Sequence, residues 1–174
     1  MSFSIRRLTR DDVEAYRAIR LEALTDHPES YGTAPDSFAA RPLDAVQTML
    51  DRMAVFGVVT AEGALAGIVA YARDDGERET HRGWLLQVYV RPEMRGSGAA
   101  LAMLEAAVAH ARSEVIQLHL MVGAHNAPAI RLYEKAGFKT YGTDPRCLYV
   151  NGRYIDEHMM VRFLDEAPGK QENE

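Results

Sequence analysis

Val88-Tyr-Val-Arg-Pro-Glu-Met-Arg-Gly-Ser-Gly-Ala-Ala-Leu-Ala-Met-Leu104 is the stretch whose reading decides the fold. It continues an apolar run from Trp84 to Val90, bounded by Gly83 and Pro92, which reads as a central buried strand. From Gly98 to about Ser113 the chain is rich in Ala, Leu and Met at helical spacing. A buried strand that passes through a small-residue loop into a helix aims unpaired N–H groups and the positive end of the helix dipole at one point. That point is an anion site. Glycines let an anion approach the backbone and permit unusual backbone angles, and Arg95 adds a charge-assisted contact. No Gly-Lys-Ser/Thr follows, and Arg95-Gly-Ser-Gly-Ala-Ala lacks the third glycine of the dinucleotide fingerprint. The glycines alone are equally compatible with a close-packed strand-to-helix turn.

Upstream, Phe3 to Leu8 alternates apolar and polar residues as a strand does, and Thr9-Arg-Asp-Asp offers an acidic helix start. Val13, Tyr16, Ile19, Arg20, Ala23 and Leu24 then share one inward face, up to a stop at His27-Pro28. Glu29 to Arg41 reads as an irregular loop, and Pro42 to Arg52 as a second helix. Ala54–Thr60 and Leu65–Ala72 are strands joined at Glu62-Gly63, and Asp74–Thr80 is a charged loop. Downstream come a strand over Ile116–Val122, a helix from Asn126 stopped by Gly137, and short strands over Phe138–Tyr141 and Leu148–Val150. Asn151-Gly152 is a hairpin turn, with Tyr154–Phe163 returning. Strands in a run followed by alternating strand and helix predict an α/β fold, a mixed sheet with helices on both faces.

The 174 residues suit one domain, expected over residues 1–165, with a disordered tail over 166–174. No apolar segment has the length of a membrane span or a signal peptide, so the expected location is cytoplasmic. One cysteine, Cys147, excludes an internal disulfide framework, and no Cys/His spacing suggests a metal. A net charge of −5 argues against a nucleic-acid partner and mildly favours a cationic substrate.

The second informative stretch is Asn126-Ala-Pro-Ala-Ile-Arg-Leu-Tyr-Glu-Lys-Ala-Gly-Phe138. Asn126 can cap the helix, and Tyr133, seven residues on, lies on roughly the same face. A phenol there could protonate a leaving group, although an isolated tyrosine is more often half-buried with a local partner. In this order, about 30 residues apart, the two stretches resemble the GNAT superfamily of N-acetyltransferases. Arg95, Gly98 and Ala100 match that family's Gln/Arg-x-x-Gly-x-Gly/Ala pyrophosphate motif. The opening Arg20-Leu-Glu-Ala-Leu…His-Pro-Glu-Ser-Tyr-Gly32 and the ending from Gly152 look like those of a bacterial subgroup.

The resemblance implies the GNAT fold, a central mixed sheet of about seven strands, with acetyl-CoA as co-substrate and a primary amine as acceptor. It places Arg95, Gly96, Ser97, Gly98, Ala99 and Ala100 on the pyrophosphate. It puts Val88, Tyr89 and Val90 on the pantetheine and thioester through their backbone, and Asn126 on the pantetheine. Tyr133 becomes the acid for the departing thiolate. Some relatives carry a glutamate near the start of the central strand, where this chain has Trp84. An alkylamine is protonated at pH 7, so a base is needed elsewhere. Glu22, on the first helix near the acceptor loop, is the first candidate and His119 the second; each, like His158, is also readable as a structural residue. Tyr31, Phe38 and Trp84 are candidate acceptor contacts, with the aromatics alternatively pinning the loop to the core. Two other readings stay open: a non-catalytic acyl-CoA sensor, and a nucleotide-binding enzyme using the same loop. The C-terminal hairpin suggests a possible homodimer.

Overall fold

The computed structural model describes residues 2–165; the tail expected at 166–174 lies outside the described residues. In chain order the elements are β1 (Phe3–Arg7), α1 (Val13–Asp26), α2 (Pro35–Ala39), α3 (Leu43–Arg52), β2 (Ala54–Thr60), β3 (Leu65–Arg73) and β4 (Arg82–Val90). Then come α4 (Ala99–Ala111), β5 (Gln117–Gly123), α5 (Ala127–Lys135), β6 (Lys139–Val150) and β7 (Arg153–Phe163). The strands form one sheet of seven in the order β1-β2-β3-β4-β5-β7-β6. Only β4 and β5 run parallel.

Local chemistry accounts for the boundaries. Gly137 takes φ +82° where α5 must stop, and Asn151 and Gly152 take φ +49° and +77° in the β6–β7 hairpin. Ahead of α1, the Asp12 carboxylate accepts the Thr9 N–H at 2.8 Å and a bidentate Arg6 guanidinium at 2.7 and 2.9 Å. Hydrogen bonding from Arg6 holds the Asp12 carboxyl down at about 2. Asp12→Ala should therefore cost about 1 kcal/mol by urea denaturation at neutral pH. A depressed carboxyl stabilises above its unfolded value and ceases to do so as pH falls through its folded one. The difference from wild type should therefore close as the pH approaches about 2.

Two segments depart from the sequence reading. The loop after α1 contains a short helix, α2, because Pro35 sits in its first turn and Phe38 is buried beneath it. β6 is one strand rather than two short pieces; its register against β7 shifts between Asp144 and Leu148. The shift spans Pro145, which has no N–H for the ladder, and Arg146 absorbs it at φ +56°.

Helices cover both faces, as expected. α4 and α5 bury Met103, Leu104, Ala107 and Tyr133 against Leu118, Leu120 and Met160. On the other face α1, α2 and α3 bury Tyr16, Ile19, Leu24, Phe38 and Val46 against Val55, Ile68 and Ala70. Two features then position the site. β4 pairs with β5 only over Arg82–Trp84 with Gln117–His119, after which no ladder pairing joins them. In β4, Gln87 and Val88 together oppose Val69 of β3, a bulge in which Gln87 takes φ +58°.

Candidate active site

A cleft of about 840 Å³ opens where β4 and β5 part. At one end lie Arg95, Gly96 and Ala100. Gly96 and Gly98 take φ +76° and +87°, and a Cβ on either would meet nothing within 4 Å, so the backbone angle demands these glycines. Ser97 Oγ donates to the Met94 carbonyl at 2.6 Å and accepts the Ala99 N–H at 3.3 Å, which fixes the turn. Among the described residues the N–H groups of Gly96, Gly98, Ala100 and Leu101 find no protein acceptor. Those free donors, the α4 dipole and the Arg95 guanidinium suit a pyrophosphate. Ser97, Gly98 and Ala99 do not line the cleft, and Ala99 is fully buried; Ser97 and Ala99 shape the loop from behind, and Gly98 offers a ligand only its free N–H. Valine at Gly98 would have to adopt a left-handed conformation costing about 1–2 kcal/mol. The expected result for Gly98→Val is an acetyl-CoA KM raised about tenfold at nearly constant kcat, read by steady-state kinetics.

Asn126 caps α5, its Oδ1 accepting the Ala129 N–H at 3.2 Å, and lines the cleft with Tyr133 as their spacing predicts. The Tyr133 ring stands edge-on to Phe138 and is 6% exposed. Its hydroxyl has no hydrogen-bond partner among the described residues. Burial raises its pKa well above that of a free phenol, so it stays protonated at neutral pH. Tyr89 turns its side chain away from the cleft onto α1, which leaves its backbone for any contact with a ligand. The Val88 carbonyl accepts the Tyr31 hydroxyl at 2.8 Å, which ties Tyr31, itself a lining residue of the cleft, to the bulge. Trp84 lines the cleft, with its indole N–H held by the Asp74 carboxylate at 3.1 Å.

Glu22 is not brought into the cleft. Its carboxylate takes Arg91 at 2.7 Å and the Tyr89 hydroxyl at 2.9 Å, and the Arg91 hydrogen bonds hold its pKa below the usual carboxylate value. A carboxylate so stabilised is a poor base. His119 is packed between Trp84 and Tyr141, and His158 meets Thr143; neither lines the cleft. Phe38 is a core residue, 1% exposed, so it pins α2 to the sheet rather than touching the acceptor.

Two cleft residues escape a motif-based reading. Glu157 on β7 is 7% exposed and lines the cleft, its Oε2 accepting the Cys147 thiol at 3.0 Å. Its signal was a carboxylate among Ile155, Met159 and Val161, alternate residues of one strand face. Arg20 is 5% exposed and also lines the cleft, standing on the inward face of α1.

A parted strand pair beside a bulge, a free-donor turn for a pyrophosphate and a buried phenol at the gap define an acyl-CoA-dependent acyltransferase. The chain belongs to the acetyltransferase (GNAT) family, whose pattern matches residues 16–138, and is an acetyl-CoA-dependent N-acetyltransferase. An L-methionine sulfoximine/L-methionine sulfone acetyltransferase of Pseudomonas aeruginosa is 31% identical over 173 residues, covering 95% of this chain and 96% of that one. The ribosomal-protein-alanine N-acetyltransferase of Brucella melitensis superposes with a TM-score of 0.79 at 26% identity, over 92% of this chain and 99% of that one. The phosphinothricin acetyltransferase of Sinorhizobium meliloti, solved with acetyl-CoA, shares the fold at a TM-score of 0.78 and 20% identity, over 94% and 89% of the two chains.

Proposed function

We propose that this enzyme acetylates the primary amine of a small molecule, an amino acid derivative or a peptide by direct attack within a ternary complex. What carries the reading is the continuity of the cleft: the free-donor turn, Tyr133 and Glu157 all line one cavity, so donor and acceptor meet without an intermediate carrier. Cys147 is the chain's one cysteine, and its thiol is pushed up to about 12 by burial and by the Glu157 carboxylate it bonds. A thiol held protonated is no acyl carrier at neutral pH.

In this reading Glu157 takes the proton that an incoming ammonium must lose, directly or through one water. The neutral amine attacks the thioester carbonyl, backbone N–H groups at the bulge receive the negative charge developing on the carbonyl oxygen, and Tyr133 delivers its proton to the departing sulfur. The C–S bond breaks as the C–N bond forms; the proton still carried by the acylated nitrogen passes through water to restore the phenol, and Glu157 returns its own to solvent. Holding both reactants in one cleft supplies much of the acceleration. The relatives' names, which specify small amino acid analogues and a protein N-terminal alanine, support an amine acceptor of this range.

Residues 1–165 act as one domain, and the enzyme works in the cytoplasm. The homodimer suggested by the C-terminal hairpin draws support from β6, a long, mostly exposed edge strand that carries the exposed Tyr141 and Tyr149, the latter paired with the exposed Tyr154 of β7. Initial velocities over an amine panel test the transfer order: intersecting double-reciprocal lines are expected, and parallel lines would replace direct attack with a covalent carrier.

A further inference from the structure

Burying a guanidinium is costly unless an anion meets it, and Arg20 has none. It is 5% exposed, and among the described residues it makes no ion pair and no hydrogen bond. Nη1 is enclosed with no acceptor. Its surroundings are aromatic and cationic: the Tyr31 ring stacks on it at 4.5 Å, and the ionisable groups that face it are Tyr31, Tyr16 and Arg41, none of them a carboxylate. Arg41 stands over the Phe38 ring and reaches the Met49 sulfur, so no acid neutralises this corner from that side either. The nearest elements hold it rigidly. Tyr16 is tied to Gln87 of the β4 bulge and Tyr31 to the Val88 carbonyl, so both neighbours of Arg20 are fixed to the strand where the thioester is expected.

We infer that Arg20 anchors a carboxylate of the acceptor, and that the substrates are compact zwitterions carrying an amine and a carboxylate. This rests on the acetyl-transfer reading and narrows it to free amino acids and their close analogues. The same cleft carries the complementary group, Glu157, also less than a tenth exposed, so one buried cation and one buried anion face a ligand bearing both charges. A planar guanidinium grips a carboxylate through two parallel N–H···O bonds, which lysine cannot reproduce. Tyr31 stacking keeps the guanidinium plane fixed for that grip.

The test compares, for each of the common L-amino acids, the free acid with its primary amide and with the amine lacking the carboxyl group. Wild-type kcat/KM should favour the free acid at least tenfold, and Arg20→Met should raise the KM for free acids roughly a hundredfold, the loss of one charge-assisted pair. The KM for acetyl-CoA should stay within about twofold, and the amines lacking a carboxylate should be used no worse than by wild type. Because methionine replaces an unpaired buried charge, the free variant should melt at or above the wild-type temperature, where a purely structural arginine would lower it. Arg20→Lys, which keeps the charge, should show the same selectivity loss. Equal use of acid, amide and amine by wild type overturns the anchor. A raised acetyl-CoA KM in Arg20→Met does so too, by placing the donor's phosphates on Arg20. Thermal shifts in the presence of CoA separate the two readings. Stabilisation by amino acids that vanishes in Arg20→Met supports the anchor even without turnover, whereas amine acetylation without any such stabilisation keeps the transfer chemistry and removes the anchor.

Discussion

Tyr133→Phe lowers kcat about a thousandfold and leaves the dissociation constant of acetyl-CoA within about twofold. The substitution removes one oxygen that bonds to nothing in the described residues, so neither the fold nor the donor site loses a contact. What it removes is a proton on a side chain that lines the cleft. Burial raises the Tyr133 pKa above that of a free phenol, which keeps the proton in place throughout the neutral range. A raised value also fixes the sign of the pH effect. The protonated, active form persists into alkaline solution, so the wild-type rate should show no decline attributable to this group below about pH 10. Thioesters of more acidic thiols need less help in leaving, and with them the defect of Tyr133→Phe should shrink. A kcat equal to that of wild type with acetyl-CoA itself would remove Tyr133 from the chemistry.

The donor half of this site was legible because it is made of local signals. A strand, two glycines, a small-residue turn and a helix follow one another in sequence, and Asn126 and Tyr133 share a helix face at a spacing that the helix itself guarantees. The acceptor half is assembled from residues far apart in the chain. Glu157 reaches the cleft only because β7 pairs with β5, and Glu22 is diverted from it by Arg91, which stands 69 residues away. No periodicity announces a contact of that range. Arg20 is intermediate: a charge on an otherwise apolar helical face was visible, but its lack of a partner became evident only with its neighbours in place. α2 was missed for a related reason, since five residues carry too little pattern and a buried Phe38 decides their conformation. β6 reads from the sequence as two short strands, Phe138–Tyr141 and Leu148–Val150, because the pattern lapses around Pro145, where the strand in fact bulges and continues.

The largest remaining effect is expected of Glu157→Gln, which keeps the shape of the side chain and removes its basicity. At pH 7 an alkylamine is almost wholly protonated, so an enzyme without a base can use only the small neutral fraction. The kcat/KM for the amine should fall about a hundredfold at neutral pH, and the deficit should close as the pH rises towards that of the free amine, about 9 to 10. The profile therefore discriminates a base from a binding group, since a lost contact would cost the same factor at every pH. Two controls separate the neighbours. Cys147→Ala removes the thiol that bonds Glu157 Oε2 but keeps the carboxylate in the cleft, so little change in rate is expected. Glu22→Gln weakens the pairing of α1 with Arg91 and should lower thermal stability while kcat stays within about twofold, because that carboxylate lies outside the cleft. If Glu157→Gln instead kept its neutral-pH activity within about twofold, the proton would have to leave through water alone. The buried carboxylate would then serve only to attract the ammonium, a role that appears in KM and not in the slope of the pH profile.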